Sequence, residues 1–274
     1  MSRFFLFLLL SVFCLALPVQ ADPFRLFGRS YDRSLAVYGS FIAPPGVTES
    51  PTENAKFELY IKPSITLRKL SDKTSLVAYA IVAFLGDSEG FSYNNKVTFA
   101  LGTEIQYQLS KAVRLSFGSQ WKMEREFSTG MLRSAFILTA DASVYKTWKP
   151  DWLQRRQGAE LVLSGWANYR GPGSLHASER KNGQLQASFK LAVALPYRET
   201  KLKLAPFISV MAKADQLGRV FNNTFEPAIG LDLKIPISGG GSIAVGAKTA
   251  HQIRHATGTA KTGTSAYVTW YKRF

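Results

Sequence analysis

The sequence predicts an all-β chain, a transmembrane antiparallel up-and-down β-barrel of about 12 strands. Three observations lead there. Apolar and polar residues alternate with a period of two over segments too long for ordinary globular strands. The connections between those segments alternate between short and long, as they do when every second turn lies on the same side of a membrane. Beyond the N-terminus, the longest run without a charge or a turn residue is Leu76–Leu85, about half of the roughly 20 residues a membrane-spanning helix needs.

Composition removes other classes. An aromatic content of 13% is too high for a disordered chain, and a single cysteine, Cys14, rules out a disulfide scaffold. The 34 Lys and Arg against 19 Asp and Glu leave a net charge of +15, so the acid shortage has to be placed somewhere in the fold. Nucleic acid is not an expected partner: no nucleic-acid motif is present, and an exported barrel seldom meets one.

Taken in chain order, the first element is Met1–Ala21, with one cation (Arg3), an apolar stretch from Phe4 to Leu17, then Pro18 and a Val19-Gln20-Ala21 triplet. This reads as a secretory signal peptide, 1–21, that leaves with Cys14; the alternative is a retained anchor helix. A short periplasmic segment, 22–33, and a barrel, 34–274, complete the expected organisation.

Strands are expected near 34–43, 55–69, 75–86, 95–109, 112–125, 131–147, 158–170, 183–197, 200–213, 223–236, 241–252 and 264–274. In the second, Phe57, Leu59, Ile61, Ile65 and Leu67 alternate with Glu58, Tyr60, Lys62, Thr66 and Arg68. The clearest runs from Lys96 to Leu109, where Val97, Phe99, Leu101, Ile105, Tyr107 and Leu109 oppose Lys96, Thr98, Gly102, Glu104, Gln106 and Gln108. Val113, Leu115, Phe117 and Met123 alternate with Arg114, Ser116, Gln120 and Lys122; the pattern returns at Leu185–Leu195 and Phe225–Ile235. With the N-terminus on the periplasmic side, short inner turns fall at Ser71–Lys73, Ser110-Lys111, Arg198-Glu199 and Gly239–Gly241. Longer outer loops fall at Pro44–Glu53, Asp87–Asn95, Gly171–Asn182, Asp215–Asn222 and Arg254–Gly263. Lys149–Gly158 is long for an inner connection, and Glu126–Gly130 short for an outer one. A soluble β-sandwich is the competing reading; its strands are shorter and its connections carry no such asymmetry.

The chain closes on an aromatic-rich strand from Ala266 to Phe274. It resembles the C-terminal signal by which bacterial outer-membrane barrels reach their assembly machinery, with Phe274 as the assembly residue. Lys272 departs from that pattern and would have to snorkel to the interface. The resemblance implies an outer-membrane location, with lipid and lipopolysaccharide as surroundings.

If the apolar face meets lipid, the opposite face lines a lumen. The inward bases are then Lys62, Arg68, Lys96, Arg114, Lys122, Arg133, Arg170, Lys190, Lys203, Lys213, Lys234, Lys248 and Arg273. The inward acids are Glu58, Glu104, Glu124, Asp141, Glu160, Glu226 and Asp232. Bases outnumber acids, and rings of Lys and Arg in a low-dielectric tube favour anions. The opposing reading is that these charges pair across the lumen and plug it, Glu104 with Arg114 or Asp232 with Lys248. Arg170, Arg180, Lys181, Arg219, Arg254 and Lys261 near the outer rim suit lipopolysaccharide phosphates. Trp148, Trp152 and Trp270 fall near inner strand ends, as interface aromatics do. Tyr145 and Trp166 alternate inward, where they either stack on sugar rings or pack the lumen.

Catalytic and metal chemistry find little support. His176 and Ser178 sit in a His-x-Ser pair resembling that of outer-membrane phospholipases and lipid A deacylases, but Gly171-Pro172-Gly173 and Lys181-Asn182-Gly183 bound it as a loop. His251 and His255 lack a third ligand nearby, and Gly239–Gly241 lacks the helix and lysine of a phosphate cradle. No cofactor or metal is expected, and the chain reads as a non-enzyme. The alternatives are a barrel hydrolase acting on lipid through His176 and Ser178, and a closed structural or receptor barrel.

The Leu204–Val210 run, Asp215 with Asn222-Asn223, the Gly230–Lys234 strand and the closing aromatic strand are similar in layout to barrel domains of exopolysaccharide-secretion porins and phage-adsorption receptors. Such porins carry a helical-repeat periplasmic domain, of which this sequence shows no sign; a separate periplasmic export partner would then supply it. For function, the resemblance implies passage of an anionic solute or glycan.

Overall fold

The computed structural model describes residues 24–26, 29–43, 54–88, 95–171, 182–198, 200–219, 222–238 and 240–274. The expected signal peptide lies outside them. Ahead of the barrel, β1 (Phe24–Leu26) pairs with β2 (Arg29–Tyr31). Twelve antiparallel strands then close on themselves in sequence order. They are β3 (Arg33–Ala43), β4 (Lys56–Lys69), β5 (Thr74–Asp87), β6 (Lys96–Gln108), β7 (Val113–Glu126), β8 (Leu132–Trp148), β9 (Glu160–Arg170), β10 (Gln184–Pro196), β11 (Lys203–Asp215), β12 (Thr224–Ile237), β13 (Gly241–Arg254) and β14 (Thr259–Arg273). Each expected segment corresponds to one strand. Only the last begins well before its expected start.

Residues paired across neighbouring strands share a face, so the register fixes which side chains point in. Glu104 on β6 aligns with Val77 on β5 and Gly118 on β7; on these strands the polar set faces the lumen. Leu101, Ile105, Phe117, Trp121, Phe136, Leu138, Phe189, Ile208, Ile229 and Leu231 take the opposite parity and are exposed. Such a belt is untenable in water but is the surface a bilayer requires, and closure leaves no sheet edge to satisfy in lipid. The chain is an outer-membrane β-barrel in architecture.

Two sequence expectations change here. Arg68 does not line the lumen. A register shift between Thr66 and Arg68 sets Arg68 opposite Leu76, on the outward parity, because a β-bulge adds one residue to β4 and turns the alternation over. The outer loop expected at Arg254–Gly263 is also much shorter. Arg254 pairs with Thr259, leaving only His255–Gly258 as the turn, with Gly258 at a φ of +64°. Thr259–Thr264 are polar because they stand above the apolar belt, not because they leave the sheet; threonine suits a strand. The long inner connection Lys149–Gly158 holds a single 3-10 turn, Asp151–Leu153, with Leu153 buried.

The seam where the chain closes has its own packing. Trp270 on β14 pairs with Gly39 on β3, and a Cβ at Gly39 would lie 2.0 Å from the Trp270 ring. The indole therefore lies flat across the missing side chain. It packs with Val37, Phe57 and Leu59 in one buried cluster, its centroid 6.1 Å from that of Phe57. Trp270 is thus a packed seam residue, whereas Trp148 and Trp152 are exposed. Phe274 and Leu35 exchange backbone hydrogen bonds of 2.9 and 3.2 Å. Lys272 is buried with its ammonium 4.4 Å from the Phe274 ring centroid, which is how a lysine is accommodated near the end of this strand.

Candidate functional site: the lumen wall

The lumen is built by the inward parity of all twelve strands, and its charges are ordered. Glu104 accepts from Lys62 Nζ at 3.0 Å and from Gln106 Nε2 at 2.7 Å. Glu124 pairs with Lys96 at 3.2 Å and Lys122 at 3.5 Å. Asp232 pairs with Lys190 at 2.5 Å and accepts from the Tyr267 hydroxyl. Glu126 pairs with Arg133, Asp141 with Arg170, Glu160 with Lys203 and Glu226 with Lys248. The Lys62 ammonium sits 4.1 Å from the Tyr79 ring centroid, and that of Lys190 3.6 Å from Phe207, so cation–π contacts hold both heads against the wall.

These pairs run along the wall. Lys62 and Glu104 lie on β4 and β6, Lys190 and Asp232 on β10 and β12; the remaining pairs link positions on one strand, adjacent strands, or β9 and β11. The pairs of the opposing, plugged reading are not formed: Glu104 takes Lys62 instead of Arg114, and Asp232 takes Lys190 instead of Lys248. Register places those lysines beside the carboxylates on the same curved wall, whereas sequence spacing carries no such information.

Burial separates the two signs of charge. The side chains of Glu104, Glu124 and Asp232 are 2%, 3% and 1% exposed, while Lys62, Lys96, Lys122 and Lys190 are 24%, 22%, 27% and 27% exposed. In each pair the carboxylate side chain is the buried partner and the lysine side chain the more exposed one. Further inward cations make no ion pair among the described residues: Lys213, Lys234, Arg114 and Arg273. Lys234 stands directly opposite Lys203 in the β11–β12 ladder, where Glu160, held by Lys203 at 2.6 Å, offsets the like-charge juxtaposition.

Tyr145 pairs with Ser164, and Trp166 with Ser143, so the two aromatics are diagonal neighbours on the inward parity. Both are exposed there. Glu126 was hidden from sequence reasoning because it was grouped with the outer connection; one more step of the Glu124–Glu126 alternation would have found it. Tyr79, Phe207 and Tyr267 were missed because aromatic residues at inward positions read as ordinary apolar alternation. His251 faces outward and shares a 2.8 Å hydrogen bond with Thr262. His255 lies in the β13–β14 turn. His176 and Ser178 lie outside the described residues, as do Arg180 and Lys181.

The outer mouth is fastened by one carboxylate. Asp215 accepts from Asn182 at 3.1 Å, Asn222 at 2.7 Å, Asn223 at 3.0 Å and the Arg219 N–H at 2.9 Å. Desolvation works against the charged form, but these four hydrogen bonds outweigh it and hold the carboxyl down at about 2. A folded-state value below the unfolded one means that the stabilisation is complete above the ordinary carboxylate range and is lost as pH falls toward 2. Amide exchange at Leu217 and Arg219 is therefore expected to stay slow down to about pH 3, and to accelerate at neutral pH in Asp215→Ala. Equal protection in that variant would contradict the fastening role.

No family model matches the chain, and no curated protein matches it in sequence. In architecture it is similar to LpxR from Salmonella typhimurium, at 10% identity over 86% of this chain and 99% of that one, with a TM-score of 0.42. It is also similar to the beta domain of the Bordetella autotransporter BrkA, at 8% identity over 90% and 100% of the two chains, with a TM-score of 0.47. An outer-membrane channel from Pseudomonas putida F1 aligns at 9% identity over 94% and 100%, with a TM-score of 0.41.

Proposed function

We propose that the protein is an outer-membrane channel whose lumen prefers anions, passing anionic solutes or an acidic glycan and moving its cargo without transforming it. The observation that carries this reading is the layering of charge. The lysine side chains of these pairs are more exposed to the lumen than their carboxylate partners, which favours anions in the lumen. The exposed Tyr145 and Trp166 offer flat apolar faces, which favours a glycan among the anions.

The test is conductance of the purified full chain in a planar bilayer under a salt gradient. Reversal at the anion side is expected. Lys213→Glu and Lys234→Glu should shift it toward cations, and neither change strands a buried carboxylate. A cation-selective or silent barrel would refute the channel reading. Ester hydrolysis of phospholipid or lipid A, abolished by Ser178→Ala, would replace it with an enzymatic one.

A further inference from the structure

At the inner end of the lumen, the end that carries the short turns, two arginines point inward and make no ion pair among the described residues. Arg114 is the second residue of β7 and Arg273 the last of β14, five strands away in a circle of twelve. Arg114 aligns with Gln108 and Ser143, Arg273 with Ala36, which in turn aligns with Lys62; all of these point inward. Both arginines lie at the inner ends of their strands, so the two side chains enter the same mouth from walls five strands apart. Along the ladders the nearest inward carboxylates to Arg114 are Asp141, which pairs with Arg170, and Glu104, which is engaged by Lys62 and Gln106.

Arg114 is also aimed. Its Nε donates to Gln108 Oε1 at 3.2 Å. The Gln108 amide in turn donates to the carbonyls of Ser110 at 2.5 Å and Val113 at 3.1 Å. The glutamine is therefore tied to the β6–β7 turn at both protons. It takes up the Nε edge of the guanidinium, leaving the far edge, with its two terminal nitrogens, for a ligand. Tyr271, two residues before Arg273 on the same inward parity, is exposed beside them.

We propose that Arg114 and Arg273 form a clamp for a tetrahedral oxyanion, a phosphate group, at the inner mouth of the lumen. A carboxylate has two oxygens and satisfies one guanidinium fork; two forks arriving from opposite walls need an anion with acceptor oxygens on both sides. Chloride offers no such geometry. The clamp deepens the anion-channel reading by naming a substrate class, and rests on it only in needing a lumen open to solute. Gln108 is a positioning residue for Arg114.

Labelling of the full-length barrel in detergent micelles with phenylglyoxal, quantified for each arginine by mass spectrometry, tests the clamp without requiring conductance. Inorganic phosphate is expected to protect Arg114 and Arg273 together, at one shared half-protecting concentration, while chloride protects neither. Arg114→Gln should remove protection from Arg273 as well. Gln108→Leu should raise the half-protecting concentration by about tenfold, equivalent to about 1.4 kcal/mol. A parallel series with glycerol 3-phosphate separates free phosphate from a phosphate monoester as the natural form. Protection that is absent, or equal at the surface residue Arg198, would overturn the clamp. An anion-selective pore without protection sinks the clamp alone; protection in a silent barrel sinks the channel reading alone.

Discussion

Asp232→Ala is expected to lower the stability of the folded barrel by about 3–5 kcal/mol, the range for removing one partner of a buried ion pair. Asp232 is almost fully buried and holds both the Lys190 ammonium and the Tyr267 hydroxyl. Its loss leaves an uncompensated cation above Phe207 and a phenol without its acceptor. Asp232→Asn keeps an acceptor for Tyr267 and should lose less. The measurement is a urea titration in detergent micelles, followed by far-ultraviolet circular dichroism. A midpoint for Asp232→Ala that coincides with wild type would show that the buried carboxylate is not needed to hold this wall.

The seam carries the second large effect. Gly39→Val should cost as much as excising the indole itself, about 3–5 kcal/mol, because any Cβ there meets the Trp270 ring at 2.0 Å. Relief requires the ring to leave its place among Val37, Phe57 and Leu59. A double-mutant cycle distinguishes this from a general intolerance of side chains on β3. Gly39→Ala should be costly alone, yet nearly free in a Trp270→Ala background, since the two changes remove the same contact. Additive losses would break the assignment.

The alternation made the strands legible because a barrel wall faces two solvents and each residue has to suit one of them. Lys96–Leu109 shows it most plainly, and β6 follows it to within a residue at either end. The bulge in β4 was not legible: Thr66, Leu67 and Arg68 continue the written alternation, while the backbone inserts an extra residue there. The ends of β13 and β14 were hidden for a related reason. Above the belt both faces meet water, so a strand and a loop have the same composition. Of the candidate site, the inward parity of Lys62, Lys96, Arg114, Lys122, Arg133, Lys190, Lys213, Lys234 and Lys248 could be read from the pattern. Partner choice could not, because Lys62 reaches Glu104 across an intervening strand, and only the register and curvature of the finished wall bring them together.

The β14–β3 ladder has a consequence for the order of events in folding. It extends from Ala266 to Arg273 against Ala43 to Ala36, so the outer half of β14 runs past the end of β3, while the β13–β14 ladder runs the whole length from Ser242 to Arg254. Every other ladder joins strands adjacent in the chain; this one joins the first and last strands of the barrel, and the entropy of bringing them together falls on it alone. Until it forms, the sheet is a curled ribbon with two open edges, each able to recruit a neighbouring strand. The indole over Gly39 and the paired backbone of Leu35 and Phe274 act as a latch on that final step. How long the ribbon waits, and how often it pairs with the wrong edge, is governed by the shortest stretch of its circumference.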